Sequence, residues 1–349
     1  MTRPSPRLAA VAVVVCTVLV LSGCRSGNVP VAVGRGGSGG LAVASTALPR
    51  APYTDLADRI AARKTAVWVE VDLVKAWLLG GQRYGDALNI AVKLASRPGV
   101  VGIKIADELG YHPGIDTPAL AQEFLTQASK DIRSRLPRTK ILIDMIVPQL
   151  GCLAWVVQPA TATERRDCST SQAAASPATT ITAVESYLRS KTIDVLDLSA
   201  GLREPAQYDS WRTTPDEAMR LVWTEVMRRH WGTLVTLQAR KALAHPGFYQ
   251  GDPVQAEQDL RTYVDIPLAN GAQAVDIWTW SQPYKGTTYQ LYDPGLATNA
   301  LIAGLARRRA AGAHLFTHMT PSSLFVSAGT DVPAATDIFT SVFVAAGAG

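Results

Sequence analysis

From Thr65 onward the chain alternates short runs of aliphatic and β-branched residues with longer amphipathic stretches. Six runs read as strands: AVWVEVDL from Ala66, VVGIKIADE from Val100, KILIDMIV from Lys140, TIDVLDLS from Thr192, TLVTLQAR from Thr233 and QAVDIWTW from Gln273. Between them, Thr117-Pro118, Ser176-Pro177, Thr214-Pro215, Asp252-Pro253 and Asp293-Pro294 each place a capping oxygen before a proline at a first helical position. Thr214 with Glu217 also makes a capping box. In the stretch from Pro118, Leu120, Phe124, Ala128 and Ile132 recur every four residues and form a stripe suited to packing on a sheet. Strand–helix alternation of this kind predicts a parallel sheet with right-handed crossovers.

The alternation within each run chooses between an open sheet and a barrel. Val67, Val69 and Val71 share one face of the first run, and Trp68, Glu70 and Asp72 share the other. Val101, Ile103 and Ile105 oppose Lys104 and Glu108; Ile141 and Ile143 oppose Asp144; Thr236, Gln238 and Arg240 share a face, as do Asp276, Trp278 and Trp280. An open sheet covered by helices on both sides would be apolar throughout. One apolar and one charged face instead predicts a (β/α)8 barrel of the TIM type, with polar residues lining its interior. The six clear strands leave it two short; weak segments around 31–44 and 314–327 are candidates for the missing pair, or the barrel is incomplete.

With 47% apolar residues in 349, the chain can bury a large core. Its net charge of +5 is spread without a Lys/Arg block, which argues against a nucleic-acid partner. Arg3 and Arg7 precede an apolar run from Leu8 to Leu21, short for a spanning helix and suited to a signal-peptide core. The run ends in Leu21-Ser22-Gly23-Cys24, which resembles the lipobox of bacterial lipoproteins. That resemblance implies cleavage before Cys24, acylation (palmitate) of Cys24 and an extracytoplasmic body anchored to the cell membrane; the alternative is an ordinary secretory signal. The expected organisation is a signal peptide over 1–23, a Gly/Ser/Ala-rich tether over 24–50, a barrel over 51–320, and an Ala/Gly-rich tail or added strand over 321–349. Glycine patterns in the tether match the GxGxxG motif (Gly34, Gly36, Gly39) and the nucleophile-elbow pattern (36–40), but no helix follows either. Cys152 and Cys168 remain in the mature body. Outside the cytoplasm they favour a disulfide, against a free catalytic thiol for which no His motif lies nearby.

Connections into strands are short (97–99 and 137–139), whereas those leaving strands are long and carry Tyr208, Trp211, Phe248, Tyr249, Tyr284, Tyr289 and Tyr292. The working face is therefore the carboxyl ends of the strands. An inward row of Glu70, Asp72, Glu108, Asp144, Asp197 and Asp276, balanced by Lys104 and Arg240, is costly to bury unless its members pair or act. Glu108, Asp144 and Asp197 are the candidate catalytic carboxyls, one protonated and one ionised, with Asp72, Gln238, Arg240, Trp280 and Trp211 as substrate-binding candidates. Each has a plainer role open to it: Glu108 as a partner of Arg240 or Lys104, Glu70 as a buried pair with Lys104, Trp280 as barrel filling. His314 and His318, four apart, lack the Glu of a zinc motif, and neither metal nor cofactor is expected.

The segment Arg97-Pro98-Gly99-Val100-Val101-Gly102-Ile103-Lys104-Ile105-Ala106-Asp107-Glu108 resembles the strand that carries the acid/base Glu in TIM-barrel glycoside hydrolases, and Trp278 and Trp280 resemble the Trp that floors their sugar site. The resemblance implies a membrane-anchored glycosidase with a glycan substrate, or a glycan-binding protein on the same barrel. It departs from the usual pattern, because three strands beyond the Asp-Glu strand lies Gln238-Ala239-Arg240, with no carboxylate. Retaining, inverting and substrate-assisted routes all stay open.

Overall fold

The computed structural model describes residues 51–111, 114–153, 162–201, 208, 213–321 and 329–345. The expected signal peptide, Cys24, the tether, the candidate strand at 31–44 and Trp211 lie outside these residues.

The fold is a TIM (β/α)8 barrel. Its parallel strands are β1 (Ala66–Glu70), β2 (Val100–Ala106), β3 (Lys140–Ile146), β4 (Val195–Ser199), β5 (Thr236–Ala242), β7 (Ala274–Tyr284), β9 (Leu315–Met319) and β10 (Ser341–Ala345). They pair in chain order, and β10 closes the ring by pairing with both β9 and β1. All six strands read from the alternation are present. Of the missing pair, β9 falls in the segment suggested, and β10 lies in the stretch taken for tail or added strand. Every residue of both is buried on both faces, so neither displays the apolar/polar alternation that marks the others. The short β6 (His245–Pro246) and β8 (Thr287–Gln290) form an antiparallel annex on the extended end of β7. Its turn at Lys285-Gly286 has φ of 49° and 77°, the paired positive values of a two-residue hairpin turn.

Helices start where side-chain oxygens cap them. Thr117, Thr214 and Asp252 accept from Leu120, Glu217 and Gln255 N–H respectively. Two expected starts give only short turns: the helices that follow begin at Ile181 and Ala300, capped by Thr180 and Asn299 rather than by Ser176 and Asp293. On the helix Pro118–Arg135, Phe124, Ala128 and Ile132 are fully buried against the sheet.

Two separate apolar regions hold the molecule together. The larger lies between the strands' outer faces and the helices. The smaller (Trp68, Leu142, Val195, Ala274, Phe316 and Phe343) plugs the barrel interior at the amino ends of the strands. Gly102 is required there, since a Cβ at that position would run into the Trp68 ring. Among the described residues, the buried charged side chains Lys104, Asp144, Asp197, Asp276 and His318 lie further along their strands than this plug, towards the carboxyl ends.

Candidate active site

Seven of the eight strands, or the loops directly after them, contribute to one ionic network above the plug. Register fixes its layer: Glu70 lies opposite Lys104, Asp144 opposite Asp197, Asp197 opposite Gln238, and Arg240 opposite Asp276. Lys104 Nζ, fully buried, reaches Glu70 at 2.8 Å, Asp107 at 2.9 Å and Asp144 at 2.6 Å. Arg240 reaches Glu108 at 3.3 Å and Asp144 and Asp107 at 3.4 Å, while its Nε lies 3.8 Å from Asp276 and 4.0 Å from Asp197. His318 bridges Glu70 and Asp276, 2.8 Å on either side, and stacks on Phe343 with ring centroids 4.6 Å apart.

Six carboxyls therefore face three cationic side chains, and the network stays near neutrality only if some carboxyls keep protons. Burial would lower the His318 pKa, but the carboxylates of Asp276 and Glu70 raise it to about 9, so at neutral pH both ring N–H groups donate. Burial alone would raise Glu70, yet His318 and Lys104 bring it down to about 2. Asp107, partly desolvated at the mouth, is likewise held below the usual range by Lys104 and Arg240. Burial dominates at Asp144, which rises to about 7 although Arg240 and Lys104 pull the other way. Burial and the neighbouring Asp276 carry Asp197 well above its ordinary value. Both Asp197 oxygens and Asp276 Oδ1 are buried without a hydrogen-bond partner among the described residues; a proton kept on Asp197 beside Asp276 accounts for that pair.

Access is graded. Asp144, Asp197 and Asp276 are fully buried, Arg240 and Glu108 are 12% and 23% exposed, and Asp107 is 48% exposed. Glu108 follows β2 in a left-handed conformation (φ 47°), and its N–H donates to Asp144 Oδ1. This tight turn places its carboxylate at the mouth, with the Asp144 carboxyl directly beneath.

The structure brings Glu108, Asp144, Asp197, Gln238 and Arg240 together, and Lys104 pairs with Glu70 as the plainer reading had it. Two candidates lie elsewhere. Asp72 stands beyond the end of β1, exposed, and caps the helix Leu73–Leu78 by accepting from Val74 N–H. Trp280 is 2% exposed, packs on Tyr292 and Phe339, and donates its indole N–H to Asp331. Alternation along β7 breaks between Ile277 and Ser281, and this carries Trp280 out of the inward row. Sequence reading also passed over two members: Asp107, one residue past the strand, and His318, judged only as a metal ligand. The disulfide joins Cys152 and Cys168. Among the described residues no group of three His, Cys, Asp or Glu is disposed to hold a metal ion.

No protein-family model and no curated protein matches the sequence. Solved structures similar to the barrel include Rhizobium etli pyruvate carboxylase (13% identity, TM-score 0.40, covering 84% of this chain and 24% of that one). Others are 2,3-dimethylmalate lyase of the PEP mutase/isocitrate lyase superfamily (12% identity, TM-score 0.38, 84% and 80% covered) and a phosphonomutase-like protein from Burkholderia cenocepacia J2315 (11% identity, TM-score 0.39, 84% and 92% covered). These are lyase, mutase and carboxyltransferase barrels, not glycoside hydrolases. The expectation of a glycosidase or glycan-binding lipoprotein with a glycan partner is corrected accordingly. Of the expected site residues, Asp144 and Asp197 are fully buried, and Trp280 is covered by Tyr292 and Phe339.

Proposed function

We propose that the barrel mouth is an acid–base active site for a small polar substrate. In this reading Glu108 is the substrate-facing carboxylate, Asp144 beneath it takes up and returns the proton, and Asp197 with Asp276 forms a deeper protonated pair. Arg240 links these layers and stabilises charge that develops on Glu108 or Asp144. One observation carries the reading. A carboxyl whose pKa is about 7 accepts from the backbone N–H of the residue that carries the solvent-reaching carboxylate, and the two carboxyls share the Arg240 guanidinium. Proton transfer is most efficient when the catalytic pKa sits near the working pH. The Cys152–Cys168 disulfide supports an oxidising, extracytoplasmic location.

The first test needs no substrate. Infrared titration should show a protonated carboxyl band that disappears around pH 7 and is missing from Asp144→Asn. Where a panel of small polar compounds yields turnover, Glu108→Gln should reduce kcat by roughly 10²- to 10⁴-fold with the fold intact. Undiminished turnover in Glu108→Gln, or an unchanged band in Asp144→Asn, overturns the reading.

A further inference from the structure

The annex on β7 builds an aromatic corner on the strand that carries Asp276. Trp278 lies two residues beyond Asp276, on the same side of β7, and opposes Ala242 just as Asp276 opposes Arg240. Its ring lies 5.6 Å from Tyr284 and 5.3 Å from Tyr289, and the two tyrosines are 5.3 Å apart. The indole N–H donates to Gln282 at 2.6 Å, which fixes the ring's orientation. Steep interplanar angles of 81° and 79° make this an open corner rather than a stack. A cation already visits it from outside, for Lys285 Nζ stands 5.1 Å over the Tyr284 ring. Arg240, opposite Asp276 in the same pair of strands, reaches the mouth carboxylates Asp107 at 3.4 Å and Glu108 at 3.3 Å. Gln238 Oε1 is buried in this layer without a hydrogen-bond partner among the described residues.

We propose that this mouth binds an organic cation, an alkylammonium whose head group is held by Asp107 and Glu108 and whose N-alkyl groups lie against Trp278 and Tyr289. The inference rests on the reading of the mouth as the active site and names the substrate class for it. An ammonium is attracted by the negative faces of the rings and by the carboxylates at once, and a neutral molecule of equal shape has only the apolar contact. An anion meets Asp107 and Glu108 first and is repelled.

The probes are choline and its neutral isostere 3,3-dimethylbutan-1-ol, with binding measured by calorimetry and by saturation-transfer NMR on the full chain, without turnover. Choline should bind about tenfold or more tighter than the alcohol. Tyr289→Leu, which keeps bulk and loses the ring face, should weaken choline by about 2- to 30-fold and leave the alcohol nearly unchanged. Trp278→Leu should do the same, and circular dichroism shows whether each variant is folded; Tyr289 lies on β8 of the annex, outside the eight parallel strands. Equal affinity for the two probes, absence of choline binding, or unchanged choline affinity in a folded Tyr289→Leu overturns the proposal. Because the readout is binding, this failure is separate from that of the acid–base reading, which is judged on the Asp144 band and on Glu108→Gln turnover.

Discussion

His318 sits between Glu70 and Asp276, and its charge is what allows two buried carboxylates to share the barrel interior. Its pKa rises from 6.5 to about 9, so between those values the folded protein holds a proton that the unfolded chain releases. Stability from this group is fully present below about pH 6.5 and is lost as pH rises through 9. Asp144 acts in the same sense at lower pH, losing its contribution as pH rises from 3.8 through about 7. Glu70 is opposite: its contribution is present above 4.5 and lost as pH falls through about 2. We expect the denaturant midpoint of the wild type to fall between pH 6.5 and 9. Replacing His318 by Gln removes one partner of a buried pair, which costs about 3–5 kcal/mol at neutral pH and flattens that slope. Parallel pH profiles for the two proteins, followed by urea titration, would show that His318 does not carry the charge. Histidine pairing of this kind is not legible in sequence, because Glu70 and Asp276 are separated from His318 by 248 and 42 residues.

At the scale of single elements, what could be read and what could not divides by how far side-chain alternation persists. In β1, β3, β4 and β5 the alternation is unbroken through the buried layer, and β2 has irregularities at Val101 and Ile105 that leave Lys104 on the inner side, so the pattern places Glu70, Lys104, Asp144, Asp197 and Arg240 inside. Extrapolated well past a strand end or across the break in β7 it fails: Asp72 lies two residues beyond the end of β1, and Trp280 lies within the register shift between Ile277 and Ser281. Helix starts divide in the same manner. A capping residue followed by proline suits both a helix and a single turn, and only the atoms that accept the next free N–H distinguish them. Ser176 makes no capping bond, and Thr180 Oγ1 accepts from Ala183 N–H at 3.2 Å. Thr180→Ala should therefore lower unfolding free energy by about 1 kcal/mol, with Ser176→Ala within about 0.5 kcal/mol of wild type. Equal losses in chemical denaturation would place the cap at the wrong residue.

For the whole molecule, closure of the ring ties the last described strand to the site. β10 pairs with both β9 and β1, and it supplies Phe343 to the interior plug, where the ring stacks under His318 and lies 5.8 Å from Lys104 Nζ. The tail thus contributes the surface on which two of the three buried cations rest. Without it, β1 and β9 each lose a ladder of backbone hydrogen bonds, the plug opens to water, and the desolvated charges above it are exposed from below. A chain ending after Thr340 should consequently lose cooperative unfolding altogether and fail to show the Asp144 carboxyl band, rather than lose a few kcal/mol. Phe343→Ala separates the plug from the ladder: it keeps every backbone pairing, should cost about 3–5 kcal/mol as a large-to-small core change, and should bring His318 below a pKa of about 9 as water enters beneath the ring. NMR titration of the His318 ring protons reads that shift directly. A truncated chain that still melts cooperatively, or a folded Phe343→Ala whose His318 titrates as in the wild type, would show that the site stands independently of the closing strand.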